Sequence, residues 1–214
     1  MSCTQPGIEQ RLIYLDEDLL VLDKPAGLLS VPGRGPDKQD CLSARVQARW
    51  PGALTVHRLD MATSGLLLMA RNPHSQRQLS LAFETRQIHK HYVAVVHGQL
   101  QGSTQGLIDL PLAVDWPNRP LQKVDSLRGK PSQTRWQILE QAQDKTRLLL
   151  QPLSGRTHQL RVHLQAIGHP IVGDALYGAD AGPQAPRLLL HASALMFTHP
   201  LSGQSLHIES PPPF

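Results

Sequence analysis

The sequence predicts an α+β fold with a mixed, largely antiparallel sheet and flanking helices. Three observations carry this expectation. Short strand-like runs occur mostly as neighbouring pairs, helical stretches are few and interspersed among them, and no GxGxxG or P-loop pattern points to a doubly wound nucleotide-binding sheet.

Arg11 to Asp16 and Leu19 to Lys24 read as two short strands around the turn Asp16-Glu17-Asp18. From Lys24 to Asp40 the chain is rich in Pro and Gly. Cys41 to Trp50 then reads as a helix with Asp40 as N-cap and Pro51-Gly52 as its stop. Thr55 to Ser64 is a polar loop, and Gly65 to Ala70 is an apolar run suited to a buried strand. Asn72 followed by Pro73 opens a second helix running to about Thr85. Ile88 to His97 is apolar on both faces beyond Tyr92, which predicts an interior strand. Gly98 to Lys130 reads as irregular, and Thr134 to Glu140 and Thr146 to Gln151 as a strand pair. Leu160, Leu164 and Ile167 fall on one face of a helix over 157–167, ended by Gly168 and Pro170. Leu188 to Ala192, Leu195 to Thr198 and Ser205 to Glu209 complete the strands, with no internal repeat.

At 214 residues the chain is long enough for one domain with a substantial core. Only Cys3 and Cys41 are present, so no disulfide framework is expected and a reducing, cytoplasmic setting fits. The N-terminal stretch lacks the apolar core of a signal peptide, and no apolar run is long enough to span a membrane. The formal charge of +4 permits a polyanionic partner without requiring one. The distribution says more, because Arg and Lys recur inside loop-like stretches: SVPGRGPDK, DWPNRPLQK and SLRGKP.

Two segments concentrate chemistry. His57-Arg58-Leu59-Asp60-Met61-Ala62-Thr63-Ser64-Gly65 places two potential cations, a carboxylate and two hydroxyls in one loop ahead of a buried strand. Residue types alone also allow a solvated turn in which Asp60 caps Thr63 or Ser64. Gly155 to His163 opens the later helix with His158 and Arg161 on one flank and Leu160 facing inward; an ordinary amphipathic helix with an exposed cationic side gives the same pattern.

Together these segments resemble the RluA family of pseudouridine synthases. Four blocks match in order: Lys24-Pro25-Ala26-Gly27, HRLDMATSGLLL at 57–68, Lys90-His91-Tyr92, and GRTHQLRVH at 155–163. SVPGR at 30–34, DWPNRP at 115–120 and QKV at 122–124 are similar to the family member that acts on both ribosomal and transfer RNA. The resemblance implies the pseudouridine synthase fold with a central cleft, in a single catalytic domain over residues 1–214. Only 23 residues precede Lys24, too few for the N-terminal S4 RNA-binding domain that many relatives carry.

By the same resemblance Asp60 is the catalytic carboxylate, attacking the sugar or abstracting a proton from it, and Arg161 is the guanidinium paired with it. Tyr92 packs on the flipped base, Lys90 lies on the same strand face, and Arg58 fills the place the base vacates. His57 and Leu160 complete the substrate side of the site. Arg34, Arg119 and Lys123, with Arg128 and Lys130, are candidates for phosphate contacts. The expected partner is RNA, in stem-loops of large-subunit (23S) rRNA and of the tRNA anticodon arm. The chain is expected to act as a monomer, without DNA, membrane, metal or cofactor.

Two other classes stay open at this point. The 11 histidines suggest a metal hydrolase with His89 and His91, or His158 and His163, as ligands, although no HExxH occurs. An RNA chaperone or binding module without catalysis would use the same basic surface.

Overall fold

The computed structural model describes residues 7–178 and 185–214. Backbone contacts divide the chain into two compact units, Met1–Ile88 with Ala192–Pro211, and His89–His191 with Pro212–Phe214. The result is a mixed α+β structure whose strands pair mostly antiparallel, as the paired strand runs imply.

The first unit contains strands β1 (Leu12–Leu15), β2 (Leu19–Lys24), β3 (Leu54–Thr55), β4 (Ser64–Ala70), β11 (Leu190–Thr198) from Ala192 onward, and β12 (Ser205–Glu209), with helices α1 (Leu42–Arg49) and α2 (Pro73–Glu84). Its strand order is β1-β2-β4-β11, with β3 also on β4 and β12 on β11. Every residue of β4 is buried, which explains why SGLLLMA shows no alternation: both faces are covered. Leu19, Val21, Leu66, Leu68, Leu79, Leu195 and Phe197 form the core against which α2 lays its apolar face. Each such side chain contributes about 1.5–3 kcal/mol by leaving water.

The second unit contains β5 (His89–His97), β6 (Gln105–Asp109), β7 (Leu112–Val114), β8 (Gln122–Val124), β9 (Gln133–Gln141), β10 (Lys145–Pro152) and helix α3 (Gln159–Ala166). β5-β10-β9-β6 run antiparallel in that order, and β7-β8 form a separate two-stranded hairpin. β5 is an interior strand as its composition predicts. It pairs with β10 on one edge, while on the other Val95 N–H donates to Leu189 O and His97 N–H to Pro170 O.

Four expectations need correction. The N-cap of α1 is Cys41, whose sulfur accepts from Ala44 N–H, and Asp40 instead pairs with Arg45. Residues 98–130 are not irregular, since they hold β6, β7 and β8. These strands are short and lack alternation, so they are held by what they pair with and pack on rather than by propensity: β6 pairs along β9, while Leu112, Leu121 and Val124 of the hairpin region close over Val162 and Tyr177. The runs at 188–192 and 195–198 join into one strand, β11. Its small residues at the junction answer a packing need, because a Cβ on Gly65 would lie 2.3 Å from Ala192 O. Finally, α3 begins at Gln159 after His158 in a left-handed conformation.

Cys41 is a buried free thiol, and Cys3 lies outside the described residues. Among the described residues no helix is long and apolar enough to cross a membrane.

Candidate active site

In the first unit the loop 57–63 is fixed from both sides of Asp60. The Ser30 hydroxyl donates to Leu59 O at 2.7 Å and accepts from Leu59 N–H at 3.0 Å, so one buried side chain holds both backbone groups of the preceding residue. On the other side, Met61 O accepts from Gly27 N–H at 2.8 Å and from the Lys24 ammonium at 3.1 Å. Lys24 is fully buried and also donates to Pro25 O and Leu28 O, so its charge is dispersed over three carbonyls that tie 25–28 to 61. Thr63 N–H closes a turn onto Asp60 O. His57 Nε2 accepts from Leu68 N–H at 2.9 Å and its ring stacks on Phe83 at 4.4 Å, anchoring the loop's entry. Asp60 itself is half-buried, neither on open surface nor sealed in the core, and Arg58 is exposed beside it. Arg34 is exposed in a separate loop braced by Gly33 N–H to Lys38 O and by Gln39 to Gly33 O and Gly35 O.

In the second unit Lys90 and Tyr92 are half-buried and two apart on β5, as their strand spacing requires. Lys90 Nζ reaches the turn that opens the arginine segment, 3.8 Å from where a Cβ on Gly155 would stand. Tyr92 lies opposite Leu150 of β10.

Arg161 is only 4 % exposed, so the picture of α3 as an amphipathic helix with a solvated cationic flank is overturned. Its Nε and Nη2 donate to the two carboxylate oxygens of Asp174 at 2.7 and 2.6 Å. Asp174 Oδ1 also accepts from the backbone N–H groups of Leu176 and Tyr177. The guanidinium therefore has a fixed plane and a fixed edge toward Asp174, with the Tyr177 ring 5.1 Å from its centre. Leu160 is buried on the inner face.

The remaining polar residues of GRTHQLRVH rivet α3 in place. Gln159 Nε2 donates to Gln133 O and Thr134 Oγ1, and its Oε1 accepts from Ser154 Oγ and Arg156 N–H. His163 Nε2 faces Leu110 O at 3.0 Å, which makes that nitrogen the donor and leaves Nδ1 to accept from Thr134 Oγ1. Burial pushes the His163 imidazole below its ordinary range, consistent with this neutral tautomer. Both ring nitrogens of His163 are thus engaged within the protein, and His158 Nδ1 meets the Tyr177 hydroxyl at 2.7 Å.

One further set, Asp16, Asp18 and His199, brings ligand-type atoms within 4.8 Å of one another. Its geometry is that of a hydrogen-bonded bracket. His199 Nδ1 accepts from Leu201 and Ser202 N–H, so Nε2 carries the proton and donates to Asp16 Oδ2, which also accepts from Tyr14 Oη. Asp18 Oδ1 accepts from Asn72 and Ser75.

Of the basic residues expected to touch phosphate, Arg119 lies against the Trp116 ring, 3.3 Å from its centroid, and Lys123 stands 3.9 Å from Asp115 Oδ1. Asp174, Ser30, Gln159 and Trp116 carry parts of this architecture that residue types did not flag. A signal for Asp174 exists in Gly173-Asp174-Ala175-Leu176-Tyr177-Gly178. Gly173 has φ +76° and a built Cβ 2.0 Å from Arg187 O, a close approach that marks the turn as constrained.

Residues 18–166 match the family described as RNA pseudouridylate synthase. The chain is 48% identical over 205 residues to the dual-specificity RNA pseudouridine synthase RluA of Escherichia coli strain K12, covering 95% of this chain and 93% of that protein. The Yersinia pestis protein of the same name is 48% identical over 200 residues, covering 92% and 97%. The solved structure of human RNA pseudouridylate synthase domain containing 1 superposes with a TM-score of 0.79 at 31% identity, over 99% of this chain and 87% of that one.

Proposed function

The chain belongs to the RNA pseudouridylate synthase family, enzymes that isomerise uridine to pseudouridine within RNA, and from that premise we propose that its substrates are uridines in stem-loops of large-subunit (23S) rRNA and of the tRNA anticodon arm. Support for two substrates comes from relatives at 48% identity that are named as dual-specificity enzymes. The same reading makes it a cytoplasmic monomer that needs neither metal nor organic cofactor and acts on RNA rather than DNA.

The reaction breaks the glycosidic C–N bond, turns the base and rejoins it through carbon 5, whose proton leaves. It needs a carboxylate held in one position while the base rotates. The observation that carries the assignment to Asp60 is the double anchoring of its neighbours, Leu59 by Ser30 and Met61 by Lys24 and Gly27. A side chain between two fixed peptides has little backbone freedom left to lose at the transition state. In this reading Arg161 favours the ionised acid, and its clamp to Asp174 keeps its plane from turning with the substrate. Tyr92 packs on the extruded uracil, Lys90 faces the same substrate, and Arg58 takes the space the base leaves, offsetting an unstacking cost of a few kcal/mol.

The test is release of tritium from stem-loop RNA labelled at carbon 5 of uridine, with no added cofactor. Release by the wild-type protein and none by Asp60→Asn, with RNA binding retained, is the expected result. Binding without release on both kinds of stem-loop would leave only an RNA-binding module.

A further inference from the structure

We propose that Trp116 is a stacking platform for an unpaired base of the substrate RNA, other than the target uridine, and that Arg119 holds the platform in position. The inference rests on the function proposed above and adds a binding site to it.

An indole in water is an anomaly in this chain. Among the described residues Trp116 is 68 % exposed, in the connection between β7 and β8, and it takes no part in the cluster of Leu112, Leu121, Val124, Val162 and Tyr177 beneath. Exposed aromatic side chains are not self-explanatory when they sit in a rigid setting, and this setting is rigid. Asp115 N–H donates to Leu121 O, Asn118 N–H to Asp115 O, Leu121 N–H to Asn118 O, and Asn118 Nδ2 to Asp115 Oδ2. The hairpin base is fastened as well, by Gln122 N–H to the Tyr177 hydroxyl at 2.9 Å.

The Arg119 guanidinium lies 3.3 Å from the ring centroid, so one face of the indole is covered by a planar cation while the residue as a whole remains mostly open. A cation on one face fixes the ring's orientation and leaves the opposite face for a second flat partner. The surrounding charge selects what that partner is. Residues 112–130 carry four cations, Arg119, Lys123, Arg128 and Lys130, against the two carboxylates of Asp115 and Asp125. Asp125 is already engaged by the backbone N–H groups of Leu127 and Arg128. A flat aromatic ligand that arrives with negative charge attached is a nucleotide, and a base is available for stacking only where it is unpaired. Stacking tolerates any base, which suits a protein serving two different loops.

The experiment compares wild type, Trp116→Ala and Trp116→Phe on one anticodon-arm stem-loop and on a set of that RNA with single abasic positions in the loop. Kd comes from fluorescence anisotropy and KM and kcat from tritium release. The side chain lies outside the core, so unchanged thermal unfolding is checked first. The expected result is a Kd and KM about tenfold higher for Trp116→Ala, with the loss in KM several times that in kcat, and most of it restored by Trp116→Phe. On one abasic RNA the wild type and Trp116→Ala should become equal within about twofold, which identifies the stacked base. A Trp116→Ala variant that binds intact RNA within twofold of wild type, or one whose penalty persists on every abasic RNA, overturns the platform. Should the wild type release no tritium, the function proposed above fails, while the Kd comparison still decides the platform.

Discussion

Arg161 and Asp174 form a buried, bidentate ion pair, with both carboxylate oxygens within 2.7 Å of guanidinium nitrogens and the two side chains almost fully removed from water. The pair is not an ordinary stabilising contact. A buried ion pair gains little over apolar packing, but removing one partner strands the other charge. What it does supply is orientation: the plane of Arg161 is set by Asp174, and Asp174 is set by the turn at 174–178 through Leu176 and Tyr177 N–H.

Asp174→Asn should therefore cost about 3–5 kcal/mol in urea unfolding, because the buried guanidinium loses the carboxylate that accepts from its Nε and Nη2. Single-turnover tritium release should fall by more than RNA affinity does. Arg161→Lys should not preserve activity, since an ammonium lacks the fork that matches the carboxylate. A stability change with single-turnover rates unaltered would mean that the pair is structural and does not aim Arg161.

Ser30→Ala tests the anchoring of Asp60 from a residue that does not itself face substrate in this reading. It leaves both Leu59 N–H and Leu59 O without their buried partner, and each unpaired group costs about 1–3 kcal/mol. Stability should drop, and kcat should fall with KM little changed. Ser30→Thr keeps the hydroxyl and should recover most of both; equal losses in the Thr and Ala variants would refute the bracket.

Much of this arrangement was legible from residues, for reasons that also mark where legibility stops. β4 and α2 announce themselves by an unbroken apolar run and by Asn72-Pro73, because local patterning and capping determine them. The hairpin β7-β8 does not, since only two of its six strand residues, Leu112 and Val124, reach the cluster around Val162 and Tyr177, and that cluster exists only in the folded chain. Asp60 and Arg161 stood out through a resemblance, and their partners did not. Ser30 lies 29 residues from Leu59 and Asp174 lies 13 from Arg161, and no local rule pairs residues at such separations.

Acid should destabilise the protein through its buried imidazoles. Burial lowers the pKa of His163 and of His97, whose Nε2 is buried without a hydrogen-bond partner. The unfolded chain takes up these protons near pH 6.5, whereas the folded chain does so only at lower pH. Their contribution is thus fully present above about pH 6.5 and is lost as the pH falls through the folded values. Urea midpoints measured from pH 7.5 to 5 should decline across that window. His163→Gln, which keeps a donor for Leu110 O, should flatten the decline by up to about 1.4 kcal/mol per pH unit. An unchanged slope would show that His163 does not titrate with unfolding.

Gly65→Ala should be among the most damaging single methyl additions in the chain, and a second glycine supplies the control. Gly65 has φ +109°, and a Cβ there would stand 2.3 Å from Ala192 O and 2.5 Å from Ala192 N. Backbone strain and overpacking each cost about 1–3 kcal/mol, so together they predict about 2–6 kcal/mol in unfolding. Gly102 has φ +90° with nothing within 4 Å of its built Cβ, so Gly102→Ala should show the strain alone. Because Gly65 directly follows the loop bearing Asp60, relief of the clash has to shift β4 or that loop. Tritium release per folded molecule should then fall in Gly65→Ala and not in Gly102→Ala. Equal unfolding midpoints for the two variants would show that β4 and β11 do not approach as closely as this packing requires.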